Sequence, residues 1–188
     1  MKPGSEYIQK STVPVVTGEE IERLFNKSGQ EIKYVSNPEF LREGTAILDS
    51  LWFDRIVVGG NDKASCSAVL NLYKQIEVKR DELAKRAGIN GNGSQPGQYF
   101  TTSRNSAELI KVTANAFLAM KISFANSIAK LADKTQANVI EVMDVGGSDK
   151  RIGRAFLSAG RGYGGGCFPK DVSGLIHGAE EFGVDMSI

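Results

Sequence analysis

The densest chemical signal in the sequence is a glycine-rich segment that ends in a single thiol. Residues 160–171 read GRGYGGGCFPKD, and five of the seven residues before Cys167 are glycine. Glycines let a ligand approach the backbone without a Cβ in the way. Lys170 is close in sequence, and a helix that Asp171 is expected to cap would begin beside the thiol, so both features favour the thiolate. A flexible linker with a buried cysteine is the alternative, but the aromatic and proline residues around Cys167 favour a nucleophile.

Two further pairs of polar residues are spaced four apart, as on one face of a helix. Lys111 and Asn115 carry donors at their tips, which suits stabilisation of an oxyanion, although periodicity alone favours a solvated polar stripe. Glu39 and Glu43 follow an Asn-Pro dipeptide that is typical of a helix start. Such paired carboxylates at the edge of a ligand site can act as general base and hydroxyl acceptor.

The composition argues against several other classes of function. The 188 residues are 41% hydrophobic, enough for a real core, and 23 Lys and Arg against 22 Asp and Glu leave a net charge of +1, which gives no field for nucleic acid or anionic membrane. One histidine and two cysteines argue against a zinc site, and no metal is expected. His177 lies in an amphipathic helical pattern, so a structural role is favoured over a Ser-His-Asp triad. The apolar stretch Val112–Met120 is too short to span a bilayer, and no signal peptide is evident, so a cytoplasmic location is expected.

The first half of the chain alternates strand and helix patterns. Ile32–Ser36 and Arg55–Gly60 are β-branched runs bounded by turn residues, which predicts buried strands. Helices are predicted to begin at Asn37 and at Asn61-Asp62. This alternation indicates an α/β layered unit with mostly parallel pairing, and the turn-rich stretch from Gly88 to Gly97 is predicted to be a surface loop.

The second half is predicted to be all helical. A long helix, capped by Asn105 or Ser106, has apolar positions at helical spacing up to about Asp133. Shorter helices are predicted over NVIEVMDVGG and RIGRAFLSAG, and a last one from Asp171.

Five stretches together resemble one known family. STVP, NPEFLREGTA, AELIKVTANAFLAMKISFAN, RIG and FLSAGRGYGGGCFPKD occur in the order found in the UDP-glucose/GDP-mannose dehydrogenase family, and the last is most similar to the UDP-glucose 6-dehydrogenase branch. The resemblance implies NAD-dependent oxidation of the C6 alcohol of UDP-glucose to the carboxylate, through a thiohemiacetal and a thioester. The alternatives are oxidation of GDP-mannose or a UDP-N-acetyl-sugar, and a helical dimerisation module without activity.

The resemblance also implies roles for individual residues. Cys167 matches the nucleophile, Lys111 and Asn115 match the residues that stabilise oxyanions, and Glu39 matches a carboxylate of thioester hydrolysis. Thr12 and Asp171 match the pair that positions a water molecule. The positions that match NAD contacts are Thr12, Glu43 and Lys170. The positions that match the nucleotide-sugar site are Glu39, Phe40, Leu41, Arg42, Glu43, Lys111, Asn115, Phe156, Leu157, Ser158, Ala159, Gly160 and Gly164.

The implied fold is α/β: the C-terminal part of a Rossmann-like dinucleotide-binding domain over residues 1–98, then an all-helical central domain with one long helix over 99–188. No G-x-G-x-x-G follows a first strand, and the family's C-terminal UDP-binding domain is not found, so weak NAD binding and little turnover are expected from this chain alone. Val16 stands where many members have glycine, and residues 78–97 carry an expected surface insertion. A homo-oligomer through the long helix is expected, as in relatives of the family.

Overall fold

A computed structural model describes residues 2, 4–90 and 96–186 of the chain. Residues 91–95, which belong to the predicted surface loop and insertion, lie outside the described residues. The described strands and helices, in chain order, are β1 (Glu6–Gln9), α1 (Thr17–Lys27), β2 (Lys33–Ser36), α2 (Ala46–Leu51), β3 (Arg55–Gly60), α3 (Lys63–Val78), α4 (Arg80–Arg86), β4 (Gln98–Thr102), α5 (Arg104–Thr135), α6 (Val139–Gly147) and α7 (Phe168–Glu181).

The strands form one sheet in the order β1-β2-β3-β4. β1 pairs with β2 in parallel, β3 pairs with β4 in parallel, and the central β2–β3 pair is antiparallel. Both predicted strands are therefore confirmed, and two of the three pairings are parallel as expected. Val35 of β2 and Val58 of β3 are fully buried and pack in one core with residues of α3. Apolar residues of this kind are expected in strands that are covered by helices.

The predicted helix start at Asn37 is wrong. Residues 37–45 form a loop, and the next helix, α2, begins only at Ala46. An N-cap side chain must accept an amide hydrogen of its own helix, whereas the buried side chain of Asn37 donates to the carbonyl of Val57 on β3 at 2.8 Å. Its carboxamide oxygen accepts from Tyr73, on α3, at 2.7 Å. Because these tertiary bonds occupy the side chain, Glu39 and Glu43 do not lie on one helix face.

The long helix is confirmed as α5, with 32 residues, although it begins at Arg104. Ser103, and not Asn105 or Ser106, supplies the side chain at its start, where Oγ accepts from the amide of Ser106 at 3.2 Å. The helix predicted to open at Asp62 is also confirmed, because the Asp62 carboxylate accepts from the amide of Ser65 at the start of α3.

The predicted helix over RIGRAFLSAG is wrong. Residues 151–160 form turns, with left-handed backbone at Gly153 (φ 72°) and at Phe156 (φ 66°), which a regular helix does not tolerate. Asp171 is also not a cap: α7 begins at Phe168 with Cys167 in the N-cap position, and Asp171 is buried within the first turn.

The chain divides into two compact units, Met1–Lys111 and Val112–Ile188. The first contains the sheet, and the second contains most of α5 with α6 and α7, around a small core of Ala125, Met143 and Leu157. The expected domain boundary after residue 98 stays a prediction. Over the described part of the chain, no helix is both long and apolar enough to cross a membrane.

Candidate active site

Lys111 and Glu39 form an ion pair in the first unit. Lys111 lies on α5 and is only 4% exposed, and its Nζ is 3.2 Å from Oε1 of Glu39 in the loop after β2. The same ammonium lies 5.3 Å from the centre of the Phe40 ring. A solvated polar stripe at Lys111 and Asn115 is therefore wrong, because both side chains are buried.

The loop that carries Glu39 is anchored through Asn37. Lys10 Nζ donates to the Asn37 carboxamide oxygen at 3.2 Å and to the Tyr73 hydroxyl at 2.7 Å. Burial lowers the pKa of Lys10, while the charge of nearby Glu39 opposes that shift. The ends of β1 and β2 and the side of α3 thus meet at one polar cluster, which holds the start of the loop.

The other end of this loop is held by Asp49 of α2. Arg42 donates to the Asp49 carboxylate from its backbone amide at 2.8 Å and from its guanidinium, and Thr45 Oγ1 donates at 3.0 Å. These donors hold the pKa of Asp49 at about 2. Arg42, a predicted sugar-nucleotide contact, therefore has its guanidinium bound within the chain.

The Asp49 ion pair predicts an acid-dependent loss of stability. Because the folded pKa lies below the unfolded value of 3.8, the stabilisation is complete above about pH 5 and is lost as the pH falls towards 2. We expect Asp49→Asn to lower the free energy of unfolding by about 1–2 kcal/mol at neutral pH, and the difference from wild type to shrink over that acid window. Urea unfolding across pH measures this, with Asp81→Asn, whose side chain is 91% exposed, as the control. A difference that does not change with pH would contradict the assignment.

A second polar pair lies in the second unit. The Asn115 side-chain amide donates to the Asp171 carboxylate at 2.6 Å, and Asp171 is 3% exposed. Lys170 Nζ lies 3.2 Å from the other carboxylate oxygen. Asn115 is one turn after Lys111 on α5, so consecutive turns of this helix supply one predicted site residue to each unit.

Cys167 is exposed and lies at the start of α7. The ring of the next residue, Phe168, makes edge-on contacts with Phe156 and Tyr163, at centroid distances of 6.2 and 6.4 Å. The glycine-rich segment before the thiol is exposed, and a Cβ at Gly164 would meet no atom of the described chain within 4 Å. Packing inside the chain therefore does not explain this glycine.

The other predicted residues are distributed over several elements. Thr12 is half-buried in the turn between β1 and α1, and Glu43 is exposed in the loop after β2. For these two, the described part of the chain shows no hydrogen bond to another predicted site residue. Leu157 is buried in the core of the second unit, so its side chain is not available to a ligand. The remaining predicted residues that are at least partly exposed are Leu41, Phe156, Ser158, Ala159, Gly160 and Gly164.

Sequence reasoning missed Glu108, one turn before Lys111 on α5. Glu108 is 2% exposed, and its carboxylate accepts from the amides of Val16 and Gly18 at 2.8 and 3.0 Å. It also accepts from the Tyr34 hydroxyl at 3.0 Å. Burial raises the pKa of Glu108, and these donors oppose the shift. No local sequence pattern indicates that Glu108 is buried, because the groups that it binds, on Val16, Gly18 and Tyr34, are far away in sequence.

The helix N-termini of the first unit bear on NAD binding, because the pyrophosphate of a dinucleotide commonly binds to free amides there. At α1 these amides are already bound by Glu108. At α3, hydrogen bonds from Ser65 hold the pKa of Asp62 at about 2, so this end also carries a carboxylate. Neither helix end fits a pyrophosphate. The described part of the chain also contains no group of three or more His, Cys, Asp or Glu side chains that could hold a metal ion.

A sheet unit with helices, followed in sequence by a helical unit, defines an α/β protein with an attached helical domain. Residues 2–77 match the profile of the UDP-glucose/GDP-mannose dehydrogenase family, NAD binding domain, and residues 105–188 match the central domain of that family. The chain belongs to the UDP-glucose/GDP-mannose dehydrogenase family.

Individual relatives agree with this assignment. The chain is 45% identical over 178 residues to UDP-glucose 6-dehydrogenase of Rhizobium meliloti, a match that covers 93% of this chain and 37% of the relative. A solved UDP-glucose dehydrogenase from Pyrobaculum islandicum superposes with a TM-score of 0.82 at 36% identity, over 98% of this chain and 39% of that one. A UDP-D-ManNAc dehydrogenase from Pyrococcus horikoshii gives a TM-score of 0.76 at 26% identity, over 96% and 39%. The chain spans a little over a third of the length of the curated relative it matches.

These matches confirm the family resemblance, the α/β fold with a helical central domain, and NAD as the cofactor of the family. The roles of the individual site residues stay predictions.

Proposed function

We propose that this chain carries the cysteine chemistry of an NAD-dependent dehydrogenase that oxidises the C6 alcohol of UDP-glucose to UDP-glucuronate. The observation that carries the proposal is the exposed thiol of Cys167, at the start of α7 and at the end of a glycine-rich segment whose glycines include one that packing does not explain. The relatives named UDP-glucose 6-dehydrogenase support this choice of substrate class.

In this proposal the thiol holds the sugar while its C6 carbon is oxidised twice. NAD supplies the acceptor for the hydride in each oxidation. Cys167 Sγ adds to the carbonyl carbon of the aldehyde, and the carbonyl oxygen takes up a proton, to give a thiohemiacetal. Loss of the second hydride, together with the proton of the thiohemiacetal hydroxyl, leaves a thioester. Water then adds to its carbonyl carbon, and the sulfur leaves as the acid is released and the thiol is restored. Covalent attachment keeps the aldehyde from dissociating between the two oxidations.

The two polar pairs have separate tasks in this scheme. Asn115 holds the carboxylate of Asp171, one turn into the helix that Cys167 begins, and we assign to Asp171 the orientation of the hydrolytic water. Lys111 is held by Glu39 in the first unit, and we assign to its ammonium the stabilisation of the oxyanion. Thr12 is assigned with Asp171 to the water, and Glu39 to thioester hydrolysis.

The proposal is tested by measuring NADH formation by the 188-residue chain with UDP-glucose, GDP-mannose and UDP-N-acetylmannosamine as alternative substrates. We expect slow turnover with UDP-glucose that exceeds turnover with the other two. Calorimetric titration should give an NAD dissociation constant weaker than micromolar, because the two helix ends are occupied by carboxylates. Preference for GDP-mannose or for the N-acetyl sugar would instead assign the chain to that branch of the family.

A second function, self-association through α5, is favoured by one observation. Ile110, Phe117, Phe124 and Leu131 recur every seven residues along this helix and are exposed, the two phenylalanines at 55%. A repeat of seven keeps these side chains on one side of the helix, as at one of the two apolar positions of the seam by which helices pair. We expect sedimentation to show a dimer for the wild-type chain and a monomer for Phe117→Glu/Phe124→Glu. A wild-type monomer would contradict this function and leave the catalytic proposal unaffected.

A further inference from the structure

Asn126, on α5, holds the upstream end of the glycine-rich segment. Its carboxamide oxygen accepts from the Gly160 amide at 2.9 Å. Its amide nitrogen donates to the Ile122 carbonyl on the same helix at 3.0 Å, and this bond orients the carboxamide with its oxygen towards Gly160. The side chain therefore connects the helix to the first glycine of the segment.

The downstream end of the same segment is held by Asn115. Asn115 and Asn126 are eleven residues apart on α5, which is about three helical turns and about 16 Å, so both lie on the same face. Gly160 and Asp171, the groups they bind, are also eleven residues apart in sequence. Two side chains on one face of α5 therefore bind both ends of the segment that contains Cys167. Residues 161–167, between these two hydrogen bonds, are exposed.

The chain upstream of Gly160 is already fixed. Lys121, also on α5, donates to the carbonyls of Ile152 and Gly153 at 3.1 and 2.9 Å. Leu157 is buried in the core of this unit. Asn126 therefore holds the first glycine of the segment, and without it the described span that makes no hydrogen bond would extend back to Ser158, whose Oγ accepts from Arg154 at 3.2 Å.

We propose that Asn126 is a positioning residue for Cys167. By accepting from the Gly160 amide, Asn126 holds the backbone at the start of the glycine-rich segment. Only the residues between Gly160 and Cys167 are then left to adjust their backbone to a ligand. This inference rests on the proposed function only in taking Cys167 as the reacting group. The interaction that it assigns, a single accepted hydrogen bond, is independent of the substrate.

The test is amide hydrogen exchange of the 188-residue chain, measured by NMR for three variants. Asn126→Leu keeps the branched shape of the side chain and removes the acceptor, whereas Asn126→Asp keeps the acceptor, loses the bond to Ile122 and adds a negative charge. We expect exchange at the Gly160 amide to accelerate about three- to tenfold in Asn126→Leu, the range for one hydrogen bond, and to return to within about twofold of wild type in Asn126→Asp. Ser127→Ala, on the exposed side of the same helix turn, is the control and should change nothing.

Unchanged exchange in Asn126→Leu would overturn the proposal, and so would equal acceleration in the Leu and Asp variants, because then the acceptor is not the operative atom. Acceleration that extends through α6 would also overturn it, since that would indicate general destabilisation. If Asn126→Leu does not fold, Asn126→Ala removes the acceptor without added bulk and is judged by the same outcomes. None of these results depends on whether Cys167 reacts with a sugar, because the exchange of the Gly160 amide is measured without substrate.

Discussion

In a complete enzyme that contains this chain, replacement of Cys167 by alanine is expected to lower the rate of acid formation by a factor of at least about a thousand, since loss of a covalent nucleophile costs this much or more. Without the sulfur no thiohemiacetal forms, and the aldehyde has no covalent attachment to the chain. Cys66→Ala is expected to leave the chemistry nearly unchanged. Cys66 is buried beside the sheet, and burial raises the pKa of its thiol, so this sulfur is neither accessible nor readily ionised.

Alkylation gives a measurement that does not require turnover. In the wild-type chain, iodoacetamide should label Cys167 and not Cys66, as read by peptide mass spectrometry. Pre-incubation with the 6-aldehyde of UDP-glucose should protect Cys167, because the sulfur is then part of a thiohemiacetal, whereas UDP-glucose itself should protect much less. Cys167→Ala should take up neither reagent.

Comparison of Cys167→Ala with Cys66→Ala tests which thiol is required for acid formation. Equal loss of acid formation in Cys167→Ala and Cys66→Ala would show that the reactive thiol is wrongly assigned or that both variants fail to fold. Urea unfolding separates these two outcomes. Cys66 packs in the core, so Cys66→Ala is expected to lower the free energy of unfolding by about 1 kcal/mol, while the exposed Cys167 should cost less than about 0.5 kcal/mol.

Local sequence signals predicted the elements whose determinants are local. The β-branched runs of β2 and β3, the Asp62 cap of α3 and the apolar period of α5 were all sufficient. Local signals did not predict α1. This helix begins after Val16, a residue with left-handed backbone (φ 78°) and no capping side chain of its own. The acceptor for this helix end is Glu108, about ninety residues later, so no pattern near Thr17 could reveal it.

At the Asn-Pro-Glu sequence, by contrast, a local signal predicted a helix that the structure does not contain. This sequence has the composition of a helix start, yet Asn37 makes three tertiary hydrogen bonds that outweigh one local cap. At the site, spacing correctly placed Lys111 and Asn115 one turn apart on a helix. Their partners Glu39 and Asp171 depend on the loop after β2 and on the start of α7, and helical periodicity contains no information on either.

The second large effect is expected on the stability of the first unit when Glu108 is replaced. Glu108→Leu leaves the amides of Val16 and Gly18 and the hydroxyl of Tyr34 without their acceptor in a buried position. Each unsatisfied buried donor costs about 1–3 kcal/mol, and because the three share one carboxylate we expect a total loss of about 3 kcal/mol in the free energy of unfolding. Urea unfolding followed by circular dichroism measures this, and Glu20→Ala on the exposed side of α1 is the control, expected within about 0.5 kcal/mol of wild type.

Two further variants decide whether the carboxylate acts as the cap of α1. Glu108→Gln keeps one acceptor and should lose less than Glu108→Leu, about 1–2 kcal/mol, because the amide group cannot accept from Val16 and Gly18 at once. Gly18→Ala should be as harmful as Glu108→Leu, since a Cβ at Gly18 would lie 2.4 Å from the Arg104 side chain and 2.8 Å from the Glu108 carboxylate. A Glu108→Leu variant as stable as wild type would show that the amides of α1 find other acceptors. In that case the turn that carries Thr12 would not depend on α5, and the position of Thr12 would have to be set by β1 alone.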